Sequence, residues 1–435
     1  MFSLIKKQIK NLVPESLLIF YHKQNAILAS FWYGNPSEKL ITIGITGTKG
    51  KTSTSEFTWS VLTYGGHFKT GLIGTAHIYI GEHETPNKMH MTMPSPWYTQ
   101  KMLQSMVRAH CTHAVLEVSS EGLKQYRHIG INYDIGVFTN LSPEHLPSHN
   151  NSFEEYKKAK GILFQHIAQS NVKKIFPEKV SIVNADDEHA SYFSNFPVSH
   201  KLSYSLRELI QNKMVDLESN TFTIGDQKIV VNIPGKFNMD NALASYMIGT
   251  ACGIEKTLIR TGIEKVTYIP GRMERVELGQ KFQVYIDYAH EKLSMRNLLE
   301  TLTMLKKDTG KIILIFGAEG GGRDKTKRKE MGLLAKDMAD IVILTNVDPY
   351  DDDPREIIDD IAQYVISEDK VLNKHLFLIE DRKDAIRKAF QLAGNNDIVC
   401  ICGKGAEKTM VINGQIVPWD EQKIVREILM EYINI

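Results

Sequence analysis

Cysteine is scarce in this chain: four in 435 residues, Cys111, Cys252, Cys400 and Cys402. Their spacing fits neither a zinc site nor a disulfide framework, and Cys400 and Cys402 alternate along the apolar stretch DIVCIC. The reading is a set of free thiols in a reducing cytoplasm. A dominant charge is also missing, since 52 Lys plus Arg stand against 51 Asp plus Glu. That balance argues against a nucleic-acid binder or an acidic tail and leaves any polyanion site local. No apolar run reaches the roughly 18 residues a membrane span requires, and no small-residue cleavage site follows the start. Short repeats and low-complexity tracts are absent too.

What is present is enough chain for several cores, because one domain takes only about 100 to 200 residues. The start, MFSLIKKQIKNLVPESLLIFYHKQNAILASFWYG, mixes lysine with apolar clusters and reads as one or two amphipathic helices broken at Pro14. It either packs on the next domain or rests on a membrane surface or a protein partner, which would place the chain at the inner membrane face. From Leu40 on, β-branched runs alternate with helical stretches, the pattern of a parallel sheet covered by helices. Expected strands are 40–46, 113–118, 134–140 and 180–184. After the Pro-Gly break of PGRMERV (270–276) a second series follows, FQVYIDY, KIILIFG, DIVILTN, HLFLIE and DIVCICG. The expected organisation is an α/β protein: a short helical segment, 1–39, a central P-loop domain, 40–269, and a C-terminal Rossmann-like domain, 270–435.

The strand-to-helix stretch ITIGITGTKGKTST (41–54) is the most specific local signal. Backbone N–H groups turning onto a helix N-terminus attract phosphate oxygens, and Gly44, Gly47 and Gly50 permit close approach where a Cβ would clash. Lys51 is then placed to reach the β and γ phosphates, and Thr52 to offer its hydroxyl to Mg²⁺. The first glycine lies one residue earlier than in the strict GxxxxGK[ST] pattern. Gly47, Thr48, Lys49, Gly50, Lys51, Thr52 and Ser53 form the expected nucleotide loop. Glu117, ending HAVLEV, projects from the carboxyl edge of a parallel sheet, where it either takes Mg²⁺ or is simply solvated. Ser119 either holds substrate or caps the next helix. Taken alone, His145 reads as a surface loop residue and Lys160, in EEYKKAKG, as a solvated helix lysine like Lys157 and Lys158.

The motifs TGTKGKTS, EVSSEGL, FTNLSPEH, EEYKKAKGILF, NADDE, PGKFNMDNALA, PGRMERV, DYAH, FGAEGGGRDKTKR and GKGAEK occur in an order that resembles the Mur ligases. The similarity covers residues 40 to 435 and is closest to the branch that adds the third amino acid. It implies ATP-dependent, ADP-forming amide synthesis on a muramyl-peptide precursor through an acyl phosphate, using a free amino acid. It also implies two Mg²⁺ ions held by Thr52, Glu117, His145 and a carbamylated Lys160. Asn184, Asn238 and Asn241 match nucleotide-facing positions, with capping and turn formation as the competing reading. Arg272, Asp287, Arg323, Asp324 and Arg328 match positions that close over ATP. Thr92, Ser119, Asp348, Tyr350, Gly403 and Glu407 match substrate positions.

Departures from the family pattern carry expectations of their own. Diaminopimelate-adding enzymes have Asp-Asn-Pro-Arg where this chain has Asp348-Pro349-Tyr350, followed by Asp351 to Asp353. Tyrosine lacks the arginine fork, so a cationic amino acid, lysine or ornithine, is expected. Only residues 1 to 39 precede the first strand, so the family's UDP-holding domain is expected to be shortened or missing. A monomer is expected. Two rival readings are a folylpolyglutamate-synthase-like ligase, which shares the lysine of TGTKGK, and a non-catalytic ATP-binding scaffold.

Overall fold

The computed structural model describes residues 14–433 apart from 88–90, 145, 213 and 217–219. The chain divides into two compact units. The first comprises 1–214, 222–229 and 240–265, the second 215–221, 230–239 and 266–435. Among the described residues the first unit carries an eight-stranded sheet in the order β4-β3-β2-β5-β1-β6-β7-β8. Its strands are β1 (Ile41–Thr46), β2 (Thr70–Ile73), β3 (His77–Ile80), β4 (His83–Pro86), β5 (His113–Glu117), β6 (Ile135–Phe138), β7 (Val180–Asn184) and β8 (His200–Tyr204). Parallel pairing runs from β2 through to β8, while β3 and β4 add an antiparallel edge. Strands covered on both faces are read as unbroken apolar runs, and β5, β6 and β7 are buried along their whole length.

Strand β1 lies between β5 and β6, so the chain leaves it toward β2 on one side and returns on the other through β6. Such a reversal opens a crevice beyond the carboxyl ends of the strands. The helix Lys51–Ser60 starts there, directly after Gly50, whose φ of 82° suits glycine. The helix Phe153–Gln169 begins at a Ser152 cap that accepts from Glu155 N at 3.3 Å, with Glu154 and Glu155 in its first turn. It buries Tyr156, Ala159, Lys160, Leu163, Phe164 and Ile167, one stripe at helical spacing.

At the opposite, amino end of the same sheet, Asp134 is fully buried. Its carboxylate accepts from Thr42 N at 2.8 Å and pairs with Lys173 at 2.5 Å and Lys179 at 3.2 Å. A buried charge needs such company, and this one ties the start of β1 to the loops before β6 and β7.

The second unit has a six-stranded sheet of Glu274–Val276, Gln283–Asp287, Ile398–Cys402, Ile312–Phe316, Ile341–Leu344 and Leu376–Leu378, in that spatial order. All its pairs are parallel except the first, which is antiparallel. Val284, Ile286, Ile313, Ile315, Val399 and Ile401 share its core with Ile424, Val425 and Ile428 of the last helix, Glu421–Ile433. Arg382 Nε sits 3.1 Å from both oxygens of Glu421 and fixes that helix. Cys400 and Cys402 are buried free thiols, as their alternation on an apolar strand suggests.

The architecture is thus α/β with a parallel-rich sheet in each unit, and the expected strands are present. The helix Glu15–Trp32 follows Pro14 directly, while the part of the start before Pro14 lies outside the described residues.

Candidate active site

Strand β1 delivers residues 47–52 to the crevice, and the segment after β6 straps them down. Thr48 N donates to Asn140 O at 2.8 Å and Lys49 N to Asn140 Oδ1 at 2.9 Å. Thr139 Oγ1 and Asn140 Nδ2 both donate to Lys49 O, at 2.7 and 3.1 Å. Thr48 Oγ1 shares a hydrogen bond with Tyr156 at 3.1 Å. A Cβ on Gly47 would meet Thr139 Oγ1 at 1.9 Å, and one on Gly50 would meet Asn241 Oδ1 at 2.3 Å. Both glycines are therefore sterically required, as the loop reading expects.

Two lysine nitrogens converge on one carbonyl. Lys51 Nζ donates to Gly47 O and Thr48 O, each at 2.9 Å, and Lys160 Nζ to the same Gly47 O at 2.7 Å. Lys160 is 1% exposed and lies 4.5 Å from the centre of the Tyr156 ring. Burial, and then the neighbouring charge of Lys51, hold its amine well below the ordinary lysine range, against the pull of Glu144. The solvated-helix reading of Lys160 fails here, whereas Lys158 is exposed and pairs with Glu155 at 3.3 Å. Lys49 pairs with Glu144 at 2.8 Å.

On the β5 side, Glu117 is 2% exposed. It accepts from Thr52 Oγ1 at 3.0 Å, Thr75 N at 2.7 Å and Thr75 Oγ1 at 2.9 Å. Burial raises its carboxyl above the usual range, opposed by these donors and by Lys51. Thr75 Oγ1 also shares a hydrogen bond with Thr92 Oγ1 at 3.2 Å, which brings Thr92 into the same network. Thr75 escaped the sequence reading. Its only signal is its place two residues beyond the parallel pair Ile73 and Leu116, next to the end of β5.

Among the described residues, no group of three His, Cys, Asp or Glu side chains is arranged to hold a metal. The hydroxyl of Thr52 and the carboxylate of Glu117 are oxygen donors of the kind that share Mg²⁺ with substrate phosphates, so the residues present fit that ion. His145 lies outside the described residues. Ser53 is buried in the first turn of the loop helix, and Ser119 Oγ accepts from Gly122 N at 3.1 Å as a helix cap. Asn184 holds a turn, its Nδ2 donating to Thr139 O at 2.8 Å and its Oδ1 accepting from Asp186 N at 2.9 Å. Asn241 Oδ1 accepts from Thr54 at 3.2 Å, beside Gly50.

In the second unit, Asn238 Nδ2 donates to Pro234 O at 2.9 Å. A second constellation gathers at the carboxyl ends of Gln283–Asp287 and Ile398–Cys402. Asp287 accepts from Met273 N and Ala289 N, both at 2.8 Å, and Arg272 lies over the Tyr288 ring at 4.5 Å. Gly403 takes φ 109° and leads to Lys404, which is 1% exposed. Lys404 Nζ donates to Asp348 Oδ2 at 2.7 Å and to Glu407 Oε2 at 2.5 Å. Tyr288 donates to the other oxygen of Glu407 at 3.0 Å. Burial opposes the charge of Lys404, but Glu407 and Asp348 outweigh it and hold the ammonium above its ordinary range, while burial raises Glu407. The sequence reading named both acids and overlooked the lysine between them.

Tyr350 takes φ 56°, and its ring covers Gly321, where a Cβ would meet Tyr350 Cγ at 2.7 Å. Arg323 donates to the Tyr350 hydroxyl at 3.3 Å. Asp324 accepts from Thr326 N at 2.9 Å at the start of the helix Thr326–Met338. Arg328 is buried, with Nη1 on Asp360 at 2.7 Å and Nη2 on Glu319 O at 3.2 Å.

Comparison with known proteins accords with this two-part layout. The Mur ligase middle domain matches residues 45–249, and the Mur ligase, glutamate ligase domain matches 271–405. The UDP-N-acetylmuramoyl-L-alanyl-D-glutamate--2,6-diaminopimelate ligase of Caldanaerobacter subterraneus subsp. tengcongensis is 37% identical over 415 residues, 93% of this chain and 81% of the relative. A solved structure of a UDP-N-acetylmuramoyl-L-alanyl-D-glutamate--2,6-diaminopimelate ligase is 30% identical with TM-score 0.59, over 90% of this chain and 78% of that one. A bifunctional folylpolyglutamate synthase/dihydrofolate synthase from Yersinia pestis, 16% identical with TM-score 0.62 over 88% of this chain and 90% of its own, shares the fold. A phosphate loop braced by lysines, a carboxylate-ended β5 and sequence identity spanning both units lead to one conclusion: the chain belongs to the Mur ligase family.

Proposed function

We infer that the protein is an ATP-dependent, ADP-forming ligase that joins a free amino acid to the carboxylate of a muramyl-peptide precursor in peptidoglycan synthesis. Lys51 and Lys160 meeting on Gly47 O carry this reading. Burial and the charge of Lys51 hold the Lys160 amine low in basicity, so Lys51 is the cation that meets an arriving polyphosphate while Lys160 is available as a neutral amine. The reaction asks the protein for positioning and charge cancellation as the γ-phosphate passes to the carboxylate and an acyl phosphate forms for the amine to attack. Lys51 neutralises the phosphates, and the N–H groups of residues 50–52, at the start of the loop helix, orient them. Thr52, Glu117 and Lys160, with His145, are the residues that would hold Mg²⁺, which when bound supplies further neutralisation of phosphate charge.

Carbamylation of Lys160 is part of this reading. Its burial and depressed basicity favour the neutral amine, which adds CO₂ and releases a proton, giving an anion on a long arm. The ion count, two, follows from the family comparison and is proposed with it.

For the amino acid, lysine or ornithine is proposed. Asp348 and Glu407 set two carboxylates against the single ammonium of Lys404, leaving one negative charge to meet a cationic side chain. Tyr350 stands where diaminopimelate ligases place an arginine. The test is ADP release and product mass in a matrix of UDP-muramoyl-dipeptide against lysine, ornithine and diaminopimelate. Turnover with lysine or ornithine supports the reading, while turnover with diaminopimelate alone rejects the specificity. Release of ADP only with a pterin and glutamate would reject the cell-wall assignment. Residues 1–39 are proposed as an attachment segment.

A further inference from the structure

Three loops of the second unit meet at one buried ammonium. Lys404, just beyond the strand Ile398–Cys402, donates to Asp348 Oδ2 at 2.7 Å, on the loop after Ile341–Leu344, and to Glu407 Oε2 at 2.5 Å. The other oxygens of both acids are held as well. Asp348 Oδ1 accepts from Val411 N at 2.7 Å, and Glu407 Oε1 accepts at 3.0 Å from Tyr288, on the loop after Gln283–Asp287. Close backbone packing fixes the frame: a Cβ on Gly271 would strike Ala406 N, and one on Gly405 would meet Tyr288 Cβ at 2.8 Å.

The two carboxylates differ in access. The side chain of Asp348 is 10% exposed and that of Glu407 33%. A carboxylate offers about four acceptor sites, so Glu407, with one taken on each oxygen, keeps room for an ammonium arriving from its open side. A lysine beside such a place repels the arriving cation, which counts against it. The opposing effect is larger, because two acids packed together with no cation between them cannot both stay ionised. Burial, and then the charge of Asp348, raise the Glu407 carboxyl, and Lys404 is the strongest influence against them. Tyr288 also favours the anion through its hydrogen bond, with Arg272 stacked over its ring at 4.5 Å and Glu319 within its field.

We propose that Lys404 is a positioning residue for the amino-acid step: it clamps Asp348 and Glu407 together so that Glu407 presents an oriented anion to the distal ammonium of the incoming amino acid. The inference rests on the reading of Glu407 as the partner of that ammonium, and it holds for lysine, ornithine or diaminopimelate alike.

The experiment compares the parent with Lys404→Met, which keeps the stem and removes the charge. ADP release is followed with UDP-muramoyl-dipeptide and L-lysine, L-ornithine or meso-diaminopimelate in turn, across the neutral pH range. With whichever amino acid the parent uses, Lys404→Met raises its KM by roughly 10- to 100-fold, with kcat falling less and the KM for ATP unchanged. The acid limb of kcat/KM moves up by about one pH unit or more, since Glu407 must be ionised and has lost the cation that kept it so. A lysine with a merely structural role would lower activity evenly across pH. Lys404→Gln, neutral but able to donate, gives the same shift in a variant that leaves neither acid without a donor. On a Glu407→Gln background, Lys404→Met raises KM by much less than it does in the parent. An unmoved acid limb with parent KM, or an even loss of kcat at every pH, overturns the proposal and leaves the ligase reading standing. No ADP release by the parent with any of the three amino acids removes the amino-acid reading and this proposal with it.

Discussion

One sheet buries lysines at both of its ends, and their companions differ. At the amino end, Lys173 and Lys179 close on the carboxylate of Asp134 at 2.5 and 3.2 Å. At the carboxyl end, Lys160 is equally buried but donates to the main-chain carbonyl of Gly47, with Lys51 on the same oxygen. Burial lowers the basicity of all three. At Lys173 and Lys179 Asp134 opposes the shift at contact distance, whereas at Lys160 the next influence is another cation. The paired cluster is a fastening. The Lys160 amine, buried without a contacting carboxylate and held low in basicity by burial and by Lys51, costs stability, and such a cost is kept where a chemical change will offset it.

The contrast breaks first at Lys160. Lys160→Ala should lower ADP release by on the order of 10³-fold while leaving the urea midpoint at or above the parent value, and added short carboxylic acids should restore part of the rate. Full turnover without rescue would place Lys160 among the fastenings. Asp134→Ala should do the reverse. It strands two buried ammonium groups and should cost about 3–5 kcal/mol of stability by urea titration, with ADP release per folded molecule nearly unchanged.

A finer test uses pH. Burial depresses His113 to about 4, and burial together with His166 and Lys23 depresses His128 to about 3. Unfolded, both titrate near about 6.5, so below that pH the unfolded chain binds more protons. Their stability contribution is complete above pH about 6.5 and drains as pH falls toward 4, by up to about 1.4 kcal/mol per unit per histidine. His128→Gln should flatten that acid limb in urea midpoints measured across the range. The smallest effect belongs to Lys158→Ala, an exposed i,i+3 partner of Glu155. It should change stability by less than about 0.5 kcal/mol and leave turnover unchanged; a larger loss would show that the helix surface matters to the site.

Much of the fold was legible because phosphate binding and parallel pairing constrain local sequence. Glycines 47 and 50 had to be glycine for steric reasons that the loop pattern already encodes, and buried strands had to be β-branched runs. The fate of Lys160 was half legible. Its neighbours in EEYKKAKG suggest a wet surface, yet Tyr156, Ala159, Leu163, Phe164 and Ile167 put it on the apolar stripe of its own helix. Thr75 and Lys404 were hidden because their roles arise from register between distant segments. Thr75 meets Glu117 only through the pairing of β2 with β5, and Lys404 meets Asp348 across 56 residues of chain. Asn184 shows the converse: a family position whose amide is engaged in bracing a turn.

The plate of Tyr350 over Gly321 bears on redesign. Installing arginine at 350 to recruit a second carboxylate would remove the ring that shelters Gly321 while keeping the strain, roughly 1–2 kcal/mol, that Tyr350 already carries at φ 56°. Exchanging one amino-acid preference for another is therefore a coupled change of both loops, with each lone substitution passing through a less well-ordered intermediate.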